Sequence, residues 1–413
     1  MPTRLFITHQ ILDPQVIEDP YPFFKALLAE APVYRVPGTP VYLVSSWDLI
    51  HQVLRNQDDY SAHLTGILMT SDDGKPALFD LAAFGGTIDA IANADEPFHS
   101  VHRRLVTPFF TARRVDALEN EVREWARSGV QALVDASGGD CVTDLANAIP
   151  VKVTARLLGL PINDVDKLLD WAFSGGEILS GTATLKDLAE AGDATSRMRA
   201  YLSAHFGAAL ASAPAAEPGN LLEALAVGVF ENQISEDDAI GILVVMVGAA
   251  AESTSSLVGS AIRLLAQDLV LQGRLRRAPQ LLEPFIEEVV RLESPFKGHY
   301  REVIQDTDLG GVKLSEKSRV FLLWAAANRD PEVFNQPDEL DISRGNLKEH
   351  LGFGHGIHFC VGARVARMEL RVILEALLTQ TSEFTISADH TVHHLSSIFV
   401  RRLPQLHLAV RSA

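Results

Sequence analysis

The sequence predicts a mainly α-helical single domain with minor β-structure. Three observations carry that expectation: helical periodicity dominates the chain, one segment is long and apolar on every face, and the β-like stretches are few and short. The 413 residues are 47% apolar and 22% charged, the composition of a globular protein with a sizeable core. Length alone would allow two or three domains. No internal repeat or low-complexity run divides the chain, however, and the one linker-like stretch, ASAPAAEPGN at 211–220, is short enough to be a loop. Residues 1–413 are therefore read as one domain.

In chain order, Pro20–Ala31 reads as a first helix, followed by short strands at Val33–Val36 and Val41–Val44. Ser61–Asn93 contains glycines and reads as irregular. Pro97–Phe110 is helical, with Asp95 and Glu96 at its start, where acids suit the positive end of the helix dipole. Long helices follow at Val115–Ala136 and Leu185–Ala211. Ser235 opens the most distinctive element, SEDDAIGILVVMVGAAAESTSSLVGSAIRLLAQD, with Ser235 and Asp238 spaced as a capping box. At ~1.5 Å per residue it spans about 50 Å. Its middle is apolar all round, so it must run through the centre of the molecule. A helix at Leu281–Leu292 follows, and a last helix, Val361–Gln380, carries Ala366, Leu370, Ile373, Leu374 and Leu377 on one stripe. Phe384–Ile386 and Leu406–Val410 read as small strands.

Composition also excludes function classes. A net charge of −17 argues against nucleic acid as a partner, which requires a basic footprint. Two cysteines cannot form a disulfide framework, which fits a reducing cytoplasm. The opening MPTRLFITHQ lacks the apolar core of a signal peptide or membrane anchor. The most apolar run, Ala239–Ala251, is too short to span a bilayer and is followed by Glu252. A soluble, cytoplasmic monomer is expected.

One of the two cysteines, Cys360, sits in FGHGIHFCVGARVAR (Phe353–Arg367), with three glycines around it and a helix-like segment after it. Glycines allow close backbone approach, and a following helix turns its positive end toward the sulfur and favours thiolate. A free cysteine is commonly just a small buried hydrophobe, but those lie in periodic apolar segments. A zinc site would recruit His355, His358 and Cys360, whose spacing matches no usual site and lacks a fourth ligand. A nucleophilic thiol would need a histidine base, with His358 nearest. Thiolate ligation of haem iron is the remaining reading.

The run F-G-x-G-x-H-x-C-x-G from Phe353 to Gly362 resembles the haem-ligating signature of the cytochrome P450 family, and companion motifs extend the resemblance from about Pro20 to the C-terminus. The resemblance implies a single P450-type domain with a long central helix over haem b, and Cys360 as axial thiolate and metal ligand. Glu288 and Arg291 form E-x-x-R on one helix face. With Arg344 downstream of ANRDP (Ala327–Pro331), they match the family's structural triad bracing the cysteine loop. His99, Arg103, Arg301 and His358 match the partners of the haem propionates, for which cationic donors are suited. Phe353 and Ala250 complete the cofactor-binding set.

On the long helix, Ala249-Ala250-Ala251-Glu252-Ser253-Thr254 matches the family's stretch of small pair, variable residue, acid and threonine, where the helix is locally distorted. Glu252 stands at the acid, Ser253 replaces the threonine, and Ala250 takes the usual glycine's place. Glu252 and Ser253 are the implied proton relay, with Thr254 in reserve. Serine lacks the methyl that restricts the hydroxyl's rotamer.

No flavin, nicotinamide or iron–sulfur fingerprint is present, so electrons are expected from a separate ferredoxin or flavodoxin with its reductase. Arg103, Arg104, Arg113, Arg114, Arg364 and Arg367 are candidates for a basic docking face. By resemblance, substrate contacts come from the Ser61–Asn93, Phe173–Arg197, Met246–Ala250, Ser294–His299 and Ser396–Val400 stretches. Ile67, Leu68, Met69, Leu78, Phe84, Phe296, Ile398 and Phe399 supply apolar surface, and Glu293, Lys297 and His299 a possible polar contact. A small hydrophobic substrate is expected, of terpenoid, steroid-like or polyketide character. The activity implied is monooxygenation of a C–H or C=C bond. The alternatives are a peroxide-driven or non-oxygenating haem-thiolate enzyme and, from another class, a haem-based sensor.

Overall fold

The computed structural model of the protein describes residues 10–81, 89–212 and 218–413. Helices form most of the described chain, and the central one, Glu236–Ala266, organises the rest. Its start is the capping box read from the sequence. Ser235 Oγ accepts from the Asp238 amide at 3.0 Å, and the Asp238 carboxylate accepts from the Ser235 amide at 3.0 Å. Twenty of its residues are buried, from Ala239 to Ala266. It packs on the helices Ala148–Leu158, Val165–Gly176, Leu185–Ser212 and Ala363–Gln380. Length and hydropathy alone would let this helix cross a membrane, but here its apolar surface forms the largest hydrophobic core.

The flanking elements follow the sequence closely. Helices occupy Tyr21–Glu30, Phe98–Val106 (continued as a 3-10 turn, Thr107–Phe110), Ala112–Asp135 and Leu282–Leu292. On the last helix, Leu370, Ile373, Leu374 and Leu377 of the expected stripe are fully buried and Ala366 partly so. A five-stranded sheet lies beside the helices in the order Val33–Arg35, Val41–Val44, Arg319–Leu322, His299–Val303, Tyr60–Ser61; its only parallel pair is Val41–Val44 with Arg319–Leu322. Strands Thr381–Ile386 and His407–Ser412 pair antiparallel near the C-terminus.

Two expectations change. The Ser61–Asn93 segment is not wholly irregular: Gly66–Thr70 and Pro76–Asp80 form an antiparallel hairpin. The central helix also shows no break where a local distortion was expected, and runs as α-helix from end to end. Alanine in place of glycine at 250 removes one residue that would weaken the helix.

Candidate active site

The loop carrying Cys360 is shaped by its glycines. Gly354 and Gly356 have φ of +68° and +73°, which side-chain-bearing residues rarely adopt. After the 3-10 turn Gly356–His358, the Cys360 amide donates to Phe353 O at 2.9 Å, closing the loop on itself. The helix Ala363–Gln380 starts immediately beyond. Cys360 counts as exposed, but the surface it exposes is the wall of an internal cavity. Burial pushes its thiol up; the amides of Gly362 and Ala363, with Arg103 and Arg367, pull toward thiolate. A helix N-terminus aimed at the sulfur is thus present as the sequence implied.

Two buried ion clusters brace the loop. Arg367 lies 4.4 Å over the Phe353 ring and holds Glu287 through Nε and Nη2, at 2.6 and 2.8 Å. His350 accepts from the Gly352 amide through Nδ1, so its Nε2 carries the proton that faces Glu287 at 3.1 Å. Burial alone would raise the Glu287 carboxyl, but Arg367 and His350 outweigh it and hold it at about 2. In the second cluster Glu288 pairs with Arg291 and Arg344, as the E-x-x-R pattern implied.

The four cationic positions come from three separate segments. Arg103 on Phe98–Val106 donates to Phe359 O at 3.0 Å. His99, one turn earlier, has its ring 4.3 Å from that of His358, tilted at 52°. Buried and without a partner are His99 Nε2 and His358 Nδ1. Burial, then Arg301 and His99, lowers His358 to about 3, so its ring is neutral. Arg301 is 8% exposed, its side chain hydrogen-bonds only Tyr300 O among the described residues, and burial lowers it to about 10. No carboxylate forms a salt bridge with Arg103 or Arg301 among the described residues. Buried guanidinium groups without counter-charges are costly, which marks this place for an anionic group.

Cys360, Arg103, Arg301 and His358 share one cavity with Ala250, Ser253 and Thr254 from the central helix, about 1460 Å³ of atom-free space partly open to solvent. Of four successive hydroxyl residues on that helix, Ser255 bonds the Asn147 side chain and Ser256 bonds Arg401 O. Ser253 Oγ turns back onto Ala249 O at 2.5 Å, the local bond that mid-helix serines make. Among the described residues, none hydrogen-bonds the Thr254 hydroxyl. Glu252 is buried but points away from the cavity. A Cβ on Gly176 would lie 2.5 Å from its Oε2. Burial first, opposed by Arg402 and aided by Glu177, raises its carboxyl to about 7.

Comparison with known proteins decides what this arrangement belongs to. A sequence model described as Cytochrome P450 matches residues 220–400. Cytochrome P450 144 of Mycobacterium tuberculosis is 36% identical over 399 residues, covering 96% of this chain and 90% of that protein. The chain belongs to the cytochrome P450 family. Cytochrome P450 109 of Bacillus spizizenii is 30% identical, covering 93% and 91%. Among solved structures, a Bacillus megaterium P450 in complex with testosterone superposes with a TM-score of 0.84 at 26% identity, over 96% and 99% of the two chains. The P450 CREJ, in complex with (4-ethylphenyl) dihydrogen phosphate, gives 0.87 at 25%, over 98% and 99%.

This P450 is therefore a haem-thiolate monooxygenase, and its residues fit the cofactor. A sulfur flanked by helix amides suits an iron ligand. The unpaired Arg103 and Arg301, with the partnerless nitrogens of His99 and His358, suit two carboxylates. His99 does not itself border the cavity; it stands behind His358.

Several expected substrate contacts are not there. Ile67, Leu68, Met69, Leu78, Ile398 and Phe399 belong to a second hydrophobic core under the hairpin and do not line the cavity, whereas Phe296 does. Phe84 lies outside the described residues. Lys297 is buried elsewhere, donating to Ile17 O and Ser397 O, and Glu293 is clamped by Arg263 and Arg401. His299 does border the cavity, its Nδ1 accepting from Trp324 Nε1 at 2.7 Å. Of the six arginines expected on a docking face, Arg367 is committed to Glu287, whereas Arg104, Arg113, Arg114 and Arg364 are exposed. Sequence reading missed Glu287 and Glu369. For Glu369 the signal was there: an acid between Ala366 and Leu370, beside the apolar stripe of the last helix.

Proposed function

We propose that this P450 inserts one oxygen atom of O2 into a C–H or C=C bond of a small apolar molecule, releasing the other as water. Two electrons come from a separate ferredoxin or flavodoxin, and two protons from solvent. The carrying observation is that Cys360 and the hydroxyl residues Ser253 and Thr254 line one cavity. When bound, haem supplies the activation of dioxygen. Cys360 would hold the iron as thiolate, with the amides of Gly362 and Ala363 and the Arg103 charge opposing the burial that raises its thiol. Arg103, Arg301 and His358 would hold the propionates, with His99 behind His358; Phe353 would pack at the loop, and Ala250 would leave room on the central helix.

On the oxygen side, Thr254 presents a hydroxyl that can donate to and accept from water, whereas Ser253, its proton committed to Ala249 O, can accept from water but donates to it only by releasing that carbonyl. Glu252, at about 7, exchanges protons near neutrality and connects to solvent through the Glu177–Arg402 side. The wall near the helix is apolar (Val245, Met246, Ala249, Phe296), which supports a hydrophobic substrate. Similar P450 structures have been solved in complex with testosterone and with (4-ethylphenyl) dihydrogen phosphate, two molecules of different character. Burial of the long helix within the core supports a soluble, cytoplasmic protein.

The reduced protein with carbon monoxide is expected to show the red-shifted Soret band of thiolate ligation; its absence overturns the assignment of Cys360. A ligand screen by haem spin-state shift, followed by product analysis under O2 with ferredoxin and reductase, then tests the reaction. The back-bonded Ser253 favours one second reading, peroxide-driven oxidation. Product formation with peroxide, and none with O2 and reductant, selects it.

A further inference from the structure

Lys297 takes no part in the proposed reaction, yet it is 1% exposed, with its stem and its amine inside the fold. Its Nζ donates to Ser397 O at 2.6 Å and to Ile17 O at 3.2 Å, joining three stretches far apart in the chain. Backbone bonds run beside it: the Lys297 amide donates to Phe399 O at 2.6 Å, and the Arg401 amide to Pro295 O at 2.8 Å. Phe296 and Val400 form a bridge between them. On its other edge the same strap, residues 396–401, accepts from the Thr182 hydroxyl at Ser396 O and donates from the Ile398 amide to Ser180 O, both at 2.8 Å. The strap therefore lies against Phe296, which lines the cavity, with the Phe399 ring 4.8 Å from that of Phe296. Lys297 ties it to the first helix, Pro14–Glu18.

An ammonium carries three N–H donors and a neutral amine two. Lys297 meets two acceptors, both carbonyls, so a neutral amine is satisfied here and an ammonium strands a buried proton. The charged groups around it are already paired with one another. Glu293, at the end of Leu282–Leu292, is held by Arg263 of the central helix at 2.9 Å and by Arg401 of the strap at 2.8 Å. Arg401 and Arg329 lie over the Tyr21 ring, at 5.0 and 3.6 Å, and Glu18 pairs with His394 at 3.2 Å. Among the described residues no carboxylate forms a salt bridge with Lys297. We propose that Lys297 is a proton-linked clasp: as a neutral amine it holds the strap closed against the cavity wall, and opening of the strap takes up one proton. Burial, then the Arg401 charge, lowers its amine to about 7, against the weaker pull of Glu18 and Glu293. The closed form thus binds the proton less tightly than an open, solvated one. Opening grows easier as pH falls from about 10.5 to about 7, and this group adds nothing further below that. Its titrating neighbours act outside the window. His394, lowered to about 4, and Glu293, held at about 2, lie on the acid side; Tyr21, raised by burial, lies on the alkaline side; the guanidinium groups stay charged throughout.

The clasp concerns neither oxygen nor turnover, so it stands or falls apart from the monooxygenase reading. In haem-loaded protein carrying 13C-labelled lysine, the Cε resonance missing from Lys297→Met should titrate with a midpoint of about 7. A midpoint of about 10, the ordinary lysine value, overturns the neutral amine. Hydrogen exchange of peptides spanning residues 396–401 then reads the opening of the strap. After division by intrinsic exchange rates, the wild-type opening constant should rise about fiftyfold from pH 9 to pH 7. That is the ratio required by one proton bound at about 7 when closed and about 10.5 when open. In Lys297→Met the constant should be the same at both pH values. A flat wild-type profile, or an equal slope in Lys297→Met, overturns the coupling. Should the methionine variant fold poorly, Lys297→Gln keeps two N–H donors without a titrating charge, and it should abolish the slope as well.

Discussion

Glu288 and Arg291 are both 0% exposed and form a bidentate pair, with Nε–Oε1 at 2.6 Å and Nη2–Oε2 at 2.9 Å. Every remaining donor of Arg291 reaches backbone: Asn328 O, Pro337 O and Glu339 O. Glu288 also accepts from Arg344 and from the Asp341 amide. One helical turn thus fixes the course of residues 328–344, the chain leading into the cysteine loop. Exposed pairs with this spacing are worth little; a fully buried one with satisfied donors is another matter.

Glu288→Ala is expected to destabilise the protein by about 3–5 kcal/mol, the cost of stranding a buried guanidinium. Arg291→Ala should cost a similar amount, and the double variant less than their sum. Denaturant midpoints measure these changes. Haem content should fall in parallel, because the same segment orients the loop. Equal stability of wild type and Glu288→Ala would remove the bracing role.

How much of this was legible in the sequence depended on whether the signal was spacing or orientation. The cysteine loop, the capping box at Ser235 and the E-x-x-R turn were readable because each is a short pattern whose geometry follows from helix or turn periodicity. The cavity wall was not. Leu68 and Phe296 are equally apolar, and only packing decides that one enters a core and the other a cavity. Glu252 was singled out by its place in the family's pattern, and it is buried. Its direction depended on Gly176, seventy-six residues earlier, where the absence of a side chain opens the space its carboxylate fills.

That contact gives a second prediction. In Gly176→Ala the new Cβ would lie 2.5 Å from Glu252 Oε2 and 2.9 Å from its carboxyl carbon. The far end of a flexible side chain can move, so the carboxylate rather than the helix should yield. Stability should change by less than about 1 kcal/mol, since alanine also favours the helix. Turnover should drop and its pH profile shift, because the acid leaves the Glu177–Arg402 side. An unaltered profile would show that the position of Glu252 does not matter.

Glu369 makes stability depend on pH with a definite sign. Its folded value, about 8, exceeds the ordinary 4.5, so the folded protein binds the extra proton between those limits. Its favourable contribution is complete below about pH 4.5 and is lost as pH rises through 8. Wild type should therefore lose stability relative to Glu369→Gln on going from pH 5 to pH 8, on the order of 3 kcal/mol. Urea unfolding of both proteins at the two pH values measures the difference. A gap that stays constant would mean that Glu369 is ionised throughout.

Arg301 should respond oppositely in the two states of the protein. On its strand, His299–Val303, it is buried, bonded to one carbonyl, and lacks a carboxylate salt-bridge partner among the described residues. In the haem-free chain an unpaired buried charge costs free energy, so Arg301→Met, similar in length and uncharged, should leave the apoprotein as stable or more stable. In the haem-bound protein the same substitution removes a charge-assisted hydrogen bond to a propionate, worth roughly 1.5–3 kcal/mol. Haem should then transfer to an excess of apomyoglobin about tenfold to a hundredfold faster, the rate equivalent of that loss. Arg301→Lys should restore part of the retention, as a point charge without the guanidinium's forked geometry. Faster haem loss with an unweakened apoprotein separates a cofactor contact from a general structural role. Equal destabilisation of both states would assign Arg301 to the fold alone.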